Sequence, residues 1–138
     1  YDYIFIDCPP SLGFLTINAL TASAYVLVPL QCEYYALEGL SKLLTTVKAI
    51  KKRLNPVLRR VDILLTMYDK RNNLSRQVEE EARALFKERV LKTVIPRNVR
   101  LSEAPSYGKP IILYDIRSQG AQSYLSLARE MIEREKAP

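Results

Sequence analysis

The sequence predicts an α/β protein with a mainly parallel sheet and helices on both faces. Short apolar and β-branched runs at Tyr3–Ile6, Ala24–Leu30, Val61–Tyr68 and Val90–Ile95 alternate with longer amphipathic stretches, the pattern of βαβ crossovers. The runs are apolar along most of their length rather than at every second position, as strands covered on both faces are. They close on residues that stop a ladder or carry charge: Asp7-Cys8-Pro9-Pro10, Pro29, Asp69 and Pro96.

Taken in order, Tyr3–Ile6 reads as a strand buried on both faces, ending in Asp7. This acid either caps the Pro9-Pro10 turn or faces a ligand at the strand's carboxyl end. A short helix is expected over 12–22, followed by a strand over 24–30 that Pro29 terminates. Ala36 to Leu54 reads as a long helix with Leu37, Leu40, Leu44, Val47 and Leu54 on its apolar stripe and Lys48, Lys51 and Lys52 turned outward. Asn55-Pro56 ends it. After the strand over 61–68 comes a basic loop, Lys70-Arg71-Asn72-Asn73. A helix from about 74 to 88 then turns Leu74, Val78, Ala82, Leu85 and Phe86 inward and the solvated Glu79, Glu80 and Glu81 outward. The strand over 90–95 leads into a long connection, 96–114, with at most one helical turn near Leu101–Ala104. The last helix has Ala121, Tyr124, Leu125, Ala128, Met131 and Ile132 as its stripe.

Composition narrows the chemistry. The 138 residues suffice for one domain with a real core. No histidine is present, which removes His-based acid–base catalysis, Ser-His-Asp triads and the commonest metal ligand. Cys8 and Cys32 make neither a metal spacing nor a disulfide framework and read as reduced thiols. No apolar run approaches the ~20 residues that span a bilayer. A net charge of +6 favours an anionic partner, and the basic residues run throughout the chain, so a patch forms only where folding gathers them. Tyr1 already stands at the mouth of a strand, which reads as part of a longer chain.

In a parallel sheet the strand carboxyl ends share one edge, where ligands bind. Four segments are expected to meet there, 7–11, 31–35, 66–73 and 96–109. They gather Asp7, Glu33, Asp69, Lys70, Arg71, Arg97, Asn98, Arg100, Glu103 and Lys109. A phosphate cradle is missing: the four glycines, at 13, 39, 108 and 120, form no glycine-rich phosphate loop. This chain by itself is not expected to hold a triphosphate tightly.

Four segments carry a family resemblance: Phe5-Ile6-Asp7-Cys8-Pro9-Pro10-Ser11-Leu12-Gly13, Val28 to Gly39 (VPLQCEYYALEG), Leu64 to Asp69 (LLTMYD) and Ile95 to Ser106 (IPRNVRLSEAPS). In order and spacing they resemble the ParA/Soj partition ATPases. The resemblance implies an incomplete P-loop NTPase domain of the SIMIBI, ParA-like type, with residues 1–138 as the C-terminal part of a single ATPase domain. By resemblance, Asp7 is the acid of the switch II segment, acting on Mg²⁺ through water, with Pro9 and Pro10 shaping the switch. Thr66, Met67, Pro96, Arg97 and Asn98 match the adenine side of the nucleotide site, and Arg71 and Arg100 match DNA-binding positions. The family's glycine-rich loop and catalytic aspartate have no counterpart here, so no catalytic residue is assigned and the chain alone is expected to be inactive.

The resemblance further implies ATP and Mg²⁺ as cofactors in the complete protein, an ATP-dependent homodimer, non-specific DNA as ligand and a ParB/Spo0J-type centromere-binding partner. The implied location is cytoplasmic and nucleoid-associated, with no membrane partner. Two alternatives stand beside it: a non-catalytic adaptor or truncated family member, and a MinD-like membrane-associated positioning ATPase. The second needs a basic amphipathic carboxyl tail, and residues 130–138 have mixed charge. A sheet lacking its first strand also leaves an edge and apolar faces uncovered, so marginal stability or self-association is expected.

Overall fold

The computed structural model describes residues 1–9 and 11–136. Its centre is a three-stranded parallel sheet in the order β1 (Tyr25–Gln31), β2 (Arg60–Tyr68), β3 (Val90–Pro96). Around it run α1 (Phe14–Ala22), α2 (Ala36–Arg53), α3 (Asn73–Phe86), α4 (Val99–Glu103), α5 (Ile111–Tyr114) and α6 (Gln119–Lys136).

The sheet is buried because its residues alternate between two covered faces. Val28, Leu30, Ile63, Leu65 and Val90 pack with Leu40 of α2 and with Val78 and Ala82 of α3. Leu64, Leu91 and Ile95 pack on the other face with Leu127 of α6, with Leu27, Leu101 and Met131 at the margin. A smaller cluster of Leu20, Val47, Ile50 and Leu58 ties α1 to α2. Asn55 locks that corner: its buried Nδ2 donates to the carbonyls of Leu20 and Ser23 at 2.8 and 2.7 Å.

Several expectations change in the folded chain. Tyr3–Ile6 is not a buried strand: residues 1–9 pair with no strand, and Ile4 and Phe5 are 80% and 78% exposed. A strand is made by its neighbour's hydrogen bonds and covering side chains, and among the described residues none flanks this run. Pro29 does not end its strand but lies within β1, on a strand paired only with β2, where a missing N–H is tolerated. Leu54 and Leu85 are exposed, and α2 buries Ile50 where the stripe named Leu54. On α6 Ala121 is buried as expected and Leu125 and Met131 are half-buried, but Tyr124, Ala128 and Ile132 face outward, and the buried residues are Gly120, Ala121 and Leu127. The 96–114 connection is mostly helical, holding α4, a 3₁₀ turn over Ala104–Tyr107 and α5.

A buried ionic cluster fastens α6 to the sheet. Asp62 on β2, 4% exposed, accepts from Arg60 Nε at 2.7 Å and from Arg134 Nη1 at 3.2 Å. Arg134 also donates to the carbonyls of Glu88 and Val90. Glu130 accepts the N–H groups of Lys92 and Thr93 at 2.7 and 2.8 Å. These two residues lie where β3 takes four steps (Val90 to Val94) against two on β2 (Ile63 to Leu65), so the carboxylate serves donors in an irregular stretch of ladder.

Candidate functional site

Three of the four expected segments meet at the sheet's carboxyl edge. Cys32 donates its N–H to the Thr66 carbonyl at 3.2 Å and Arg97 to the Tyr68 carbonyl at 3.0 Å, so the ends of β1, β2 and β3 lie side by side. Asp7 does not join them. It is exposed on the unpaired amino segment and, among the described residues, makes no hydrogen bond or ion pair. Pro9 is likewise exposed there, and Pro10 lies outside the described residues.

The backbone at the end of β2 is distorted. From Leu65 to Tyr68 it takes three steps while β3 takes two, Val94 to Pro96, which places one extra residue in β2. Met67 sits in this bulge with φ 53°, a left-handed conformation costly for a side-chain-bearing residue, and it is partly exposed. Two residues beyond β3's last ladder partner, Asn98 carries a buried Oδ1 that accepts no hydrogen bond among the described residues. A buried acceptor without a partner is uncommon and costs free energy, so it marks a place where a donor would be welcome. The two segments expected on the adenine side, Thr66–Met67 and Pro96–Asn98, therefore hold one strained residue and one orphaned acceptor on adjacent strand ends.

Both candidate DNA-binding arginines are engaged. Arg71 donates from Nε and Nη2 to the two carboxylate oxygens of Asp69, both at 3.1 Å, and its N–H donates to Oδ1 at 3.0 Å. The guanidinium's hydrogen bond, then that of the Arg71 N–H, holds the Asp69 carboxyl below the usual carboxylate range. The Arg71 side chain remains 90% exposed. Asn72 then caps α3 by accepting from the Leu74 N–H at 2.9 Å, which fixes the loop's exit. Arg100, on α4, pairs with Glu103 at 2.9 Å and reaches Asp115 at 3.6 Å. Tyr114 donates to the same Glu103 carboxylate at 3.1 Å and packs against Tyr107 with ring centroids 5.0 Å apart. Arg100 first, then Tyr114, lower the Glu103 carboxyl.

Sequence reasoning missed the Glu103–Tyr114–Asp115 support because 96–114 reads as loop; the Ser-Glu and Tyr-Asp pairs around a Gly108 turn were the available signal. Gly108 has φ +61°, the left-handed conformation that ends the 3₁₀ turn. Gly120 explains how closely α6 meets α4. A Cβ there would stand 2.5 Å from Leu101 Cγ, so only glycine fits beneath the helix that carries Arg100.

The remaining candidates are scattered. Glu33 lines an open cleft of about 520 Å³ with Val28, Leu30, Tyr34, Tyr35 and Leu40, beside β1. Lys70, Arg97 and Lys109 are exposed. Cys32 is buried, and burial, with a smaller contribution from the Glu79 charge, pushes its thiol up to about 11. No group of three or more metal-ligating side chains occurs among the described residues. One exposed carboxylate is too little to hold Mg²⁺, which takes its other ligands from water and phosphate oxygens. The described residues therefore do not by themselves assemble a metal site.

A parallel sheet with covered faces and a candidate site at the strand carboxyl edge is an open α/β architecture of the nucleotide-binding kind. Cobyrinic acid a,c-diamide synthase from Mycobacterium smegmatis has this structure with TM-score 0.74 and 35% identity, over 95% of this chain and 46% of that one. That enzyme has also been solved with ADP and magnesium and with an ATP analogue and magnesium. The profile of the AAA domain family matches residues 1–60. Chromosome partitioning protein ParA of Myxococcus xanthus is 62% identical over 135 residues, 98% of this chain and 48% of the relative. Sporulation initiation inhibitor protein Soj of Bacillus subtilis is 67% identical over 131 residues, 95% and 52% respectively. Over nearly its whole length the chain is similar to ParA and Soj partitioning proteins, and it spans about half the length of these curated relatives.

Proposed function

We propose that this chain is the C-terminal part of a single ParA-type ATPase domain that segregates DNA: it dimerises on ATP, binds DNA without sequence preference and is stimulated by a ParB-type partner. The observation that carries this reading is the 62–67% identity to ParA and Soj proteins over nearly the whole chain. The carboxyl edge supplies supporting chemistry. Asn98, whose buried Oδ1 has no hydrogen-bond partner among the described residues, follows the end of β3 as the Thr66–Met67 bulge ends β2, and with Pro96 and Arg97 it would take the adenine side. Asp7 and the prolines after it act at the phosphate end once the glycine-rich loop of the complete protein is present. No catalytic step is assigned to residues of this chain.

DNA binding falls to Arg71 and Arg100, whose guanidinium groups exchange a carboxylate partner for a phosphate. The affinity of such contacts falls linearly in log salt, with a slope of about 0.9 per phosphate on duplex DNA. In the full-length protein Arg71→Ala or Arg100→Ala lowers affinity on every sequence alike and reduces the slope by about one. Asp69→Asn keeps an acceptor for the Arg71 N–H but removes the competing charge, and is expected to tighten binding. Filter binding across a salt series reads all three. Unchanged affinity in both arginine variants would overturn the assignment.

A further inference from the structure

The positive charge of this chain is concentrated in one place. Between Gly39 and Val61 lie seven of the 21 basic residues and none of the 15 acids, so this stretch carries +7 and the rest of the chain together −1. Lys42 is neutralised by Glu38 and Arg60 by Asp62. Lys48, Lys51, Lys52, Arg53 and Arg59 remain exposed, and among the described residues none of the five forms an ion pair.

Topology gathers them. Helix α2 begins after the carboxyl end of β1 and returns across the sheet, so its last turns lie at the strands' amino edge. The Arg59 N–H donates to the Ala24 carbonyl at 2.8 Å, and Arg60 stands opposite Tyr25, which fixes both arginines at that edge. Arg71 and Arg100 lie at the other edge, one strand length away, roughly 26 Å for the nine residues of β2.

The helix macrodipole favours cations in a last turn, which accounts for Lys51, Lys52 and Arg53. It does not account for Arg59, beyond the helix, or for Lys48 facing Lys52 four residues on with no acid between. Like charges at that spacing repel. Elsewhere the chain neutralises such positions, as in the Glu38–Lys42 and Glu79–Arg83 pairs. An unneutralised cluster kept against its own repulsion fits a surface that meets anions.

We propose that the carboxyl end of α2 and the turn to β2, with Lys48, Lys51, Lys52, Arg53 and Arg59, form a second surface for the phosphate backbone of nucleic acid, at the sheet edge opposite Arg71 and Arg100. This rests on the DNA-binding reading above. A lipid surface fits less well: the apolar face of α2, with Leu40, Val47 and Ile50, is spent in the core, and only Leu54 and Val57 stand exposed beside the cations.

The test compares Lys48→Ala/Lys51→Ala/Lys52→Ala, Arg71→Ala/Arg100→Ala and the combined variant in the full-length protein, on random-sequence duplex DNA from 50 to 300 mM salt. The lysines carry no contact that folding needs, and thermal melting of the lysine variant checks this. A slope shallower by about 2–3 in the lysine variant, adding to the loss in the arginine variant, is expected. An unchanged slope in the lysine variant beside weakened binding in the arginine variant overturns this inference and leaves the DNA-binding reading standing. No change in either, or no binding by the parent protein, overturns both. Unchanged DNA binding with lost co-sedimentation on phosphatidylglycerol–phosphatidylcholine vesicles assigns the surface to a membrane and also overturns it.

Discussion

The amino segment, residues 1–9, and the middle strand β2 are built from similar residues and meet opposite fates. Tyr3-Ile4-Phe5-Ile6 is, like Ile63-Leu64-Leu65, a run of large apolar residues, yet Ile4 is 80% exposed and Ile63 and Leu65 are fully buried. β2 has a partner on each side and helices above and below, while the amino segment has no paired neighbour. Burial is a property of neighbours, and a strand-forming sequence supplies only half of a strand.

Four measurements would break or sharpen that contrast. The largest effect belongs to Leu65→Ala, expected to cost about 2–5 kcal/mol in urea unfolding, because a fully packed position loses contacts and gains a cavity. Next comes Glu130→Gln, about 1.5–3 kcal/mol, since a charged acceptor of two N–H groups becomes neutral. Burial acts to raise the Glu130 carboxyl, but the Lys92 and Thr93 N–H groups outweigh it and leave the carboxyl below its usual range. Its contribution is therefore complete above the unfolded glutamate value of about 4.3 and fades as pH falls through the lowered folded value. The melting temperature of the parent is expected to drop more steeply than that of the Gln variant between pH 5 and pH 3.

The two thiols give a smaller, kinetic contrast. At pH 8 a disulfide reagent is expected to modify exposed Cys8 quickly and buried Cys32 only on unfolding, because the Cys32 thiol stays protonated and covered. Equal rates would mean that β1 opens readily. Smallest of all, Phe5→Ala in this 138-residue chain is expected to change stability by less than about 0.5 kcal/mol. A large loss would show that the amino segment packs in solution after all.

Much of this architecture was legible in the residues. Period and composition located β1, β2 and β3, and α2 and α3 within one or two residues at most ends, because long periodic segments carry their own signal. The inward face of α6 was legible only in part: Ala121, Leu125 and Met131 turn inward as their spacing suggests, but Tyr124, Ala128 and Ile132 do not, and only the sheet the helix packs against selects Leu127 over them. The helices α4 and α5 hid behind proline and glycine. At the candidate site, the convergence of Thr66–Asn73 with Pro96–Asn98 followed from parallel topology. The Met67 bulge and the Asn98 orphan did not, since both depend on a register that no single strand records.

The grip of α6 on β3 has a consequence for how the sheet can be extended. Between Val90 and Thr93, the Arg134, Arg83 and Glu130 side chains take up main-chain groups of the outermost strand. Over those residues the main chain is already engaged by the molecule itself. At the opposite rim β1 pairs on one side only, among the described residues. A further strand would therefore find free ladder groups along β1, whereas between Val90 and Thr93 the groups of β3 are already engaged.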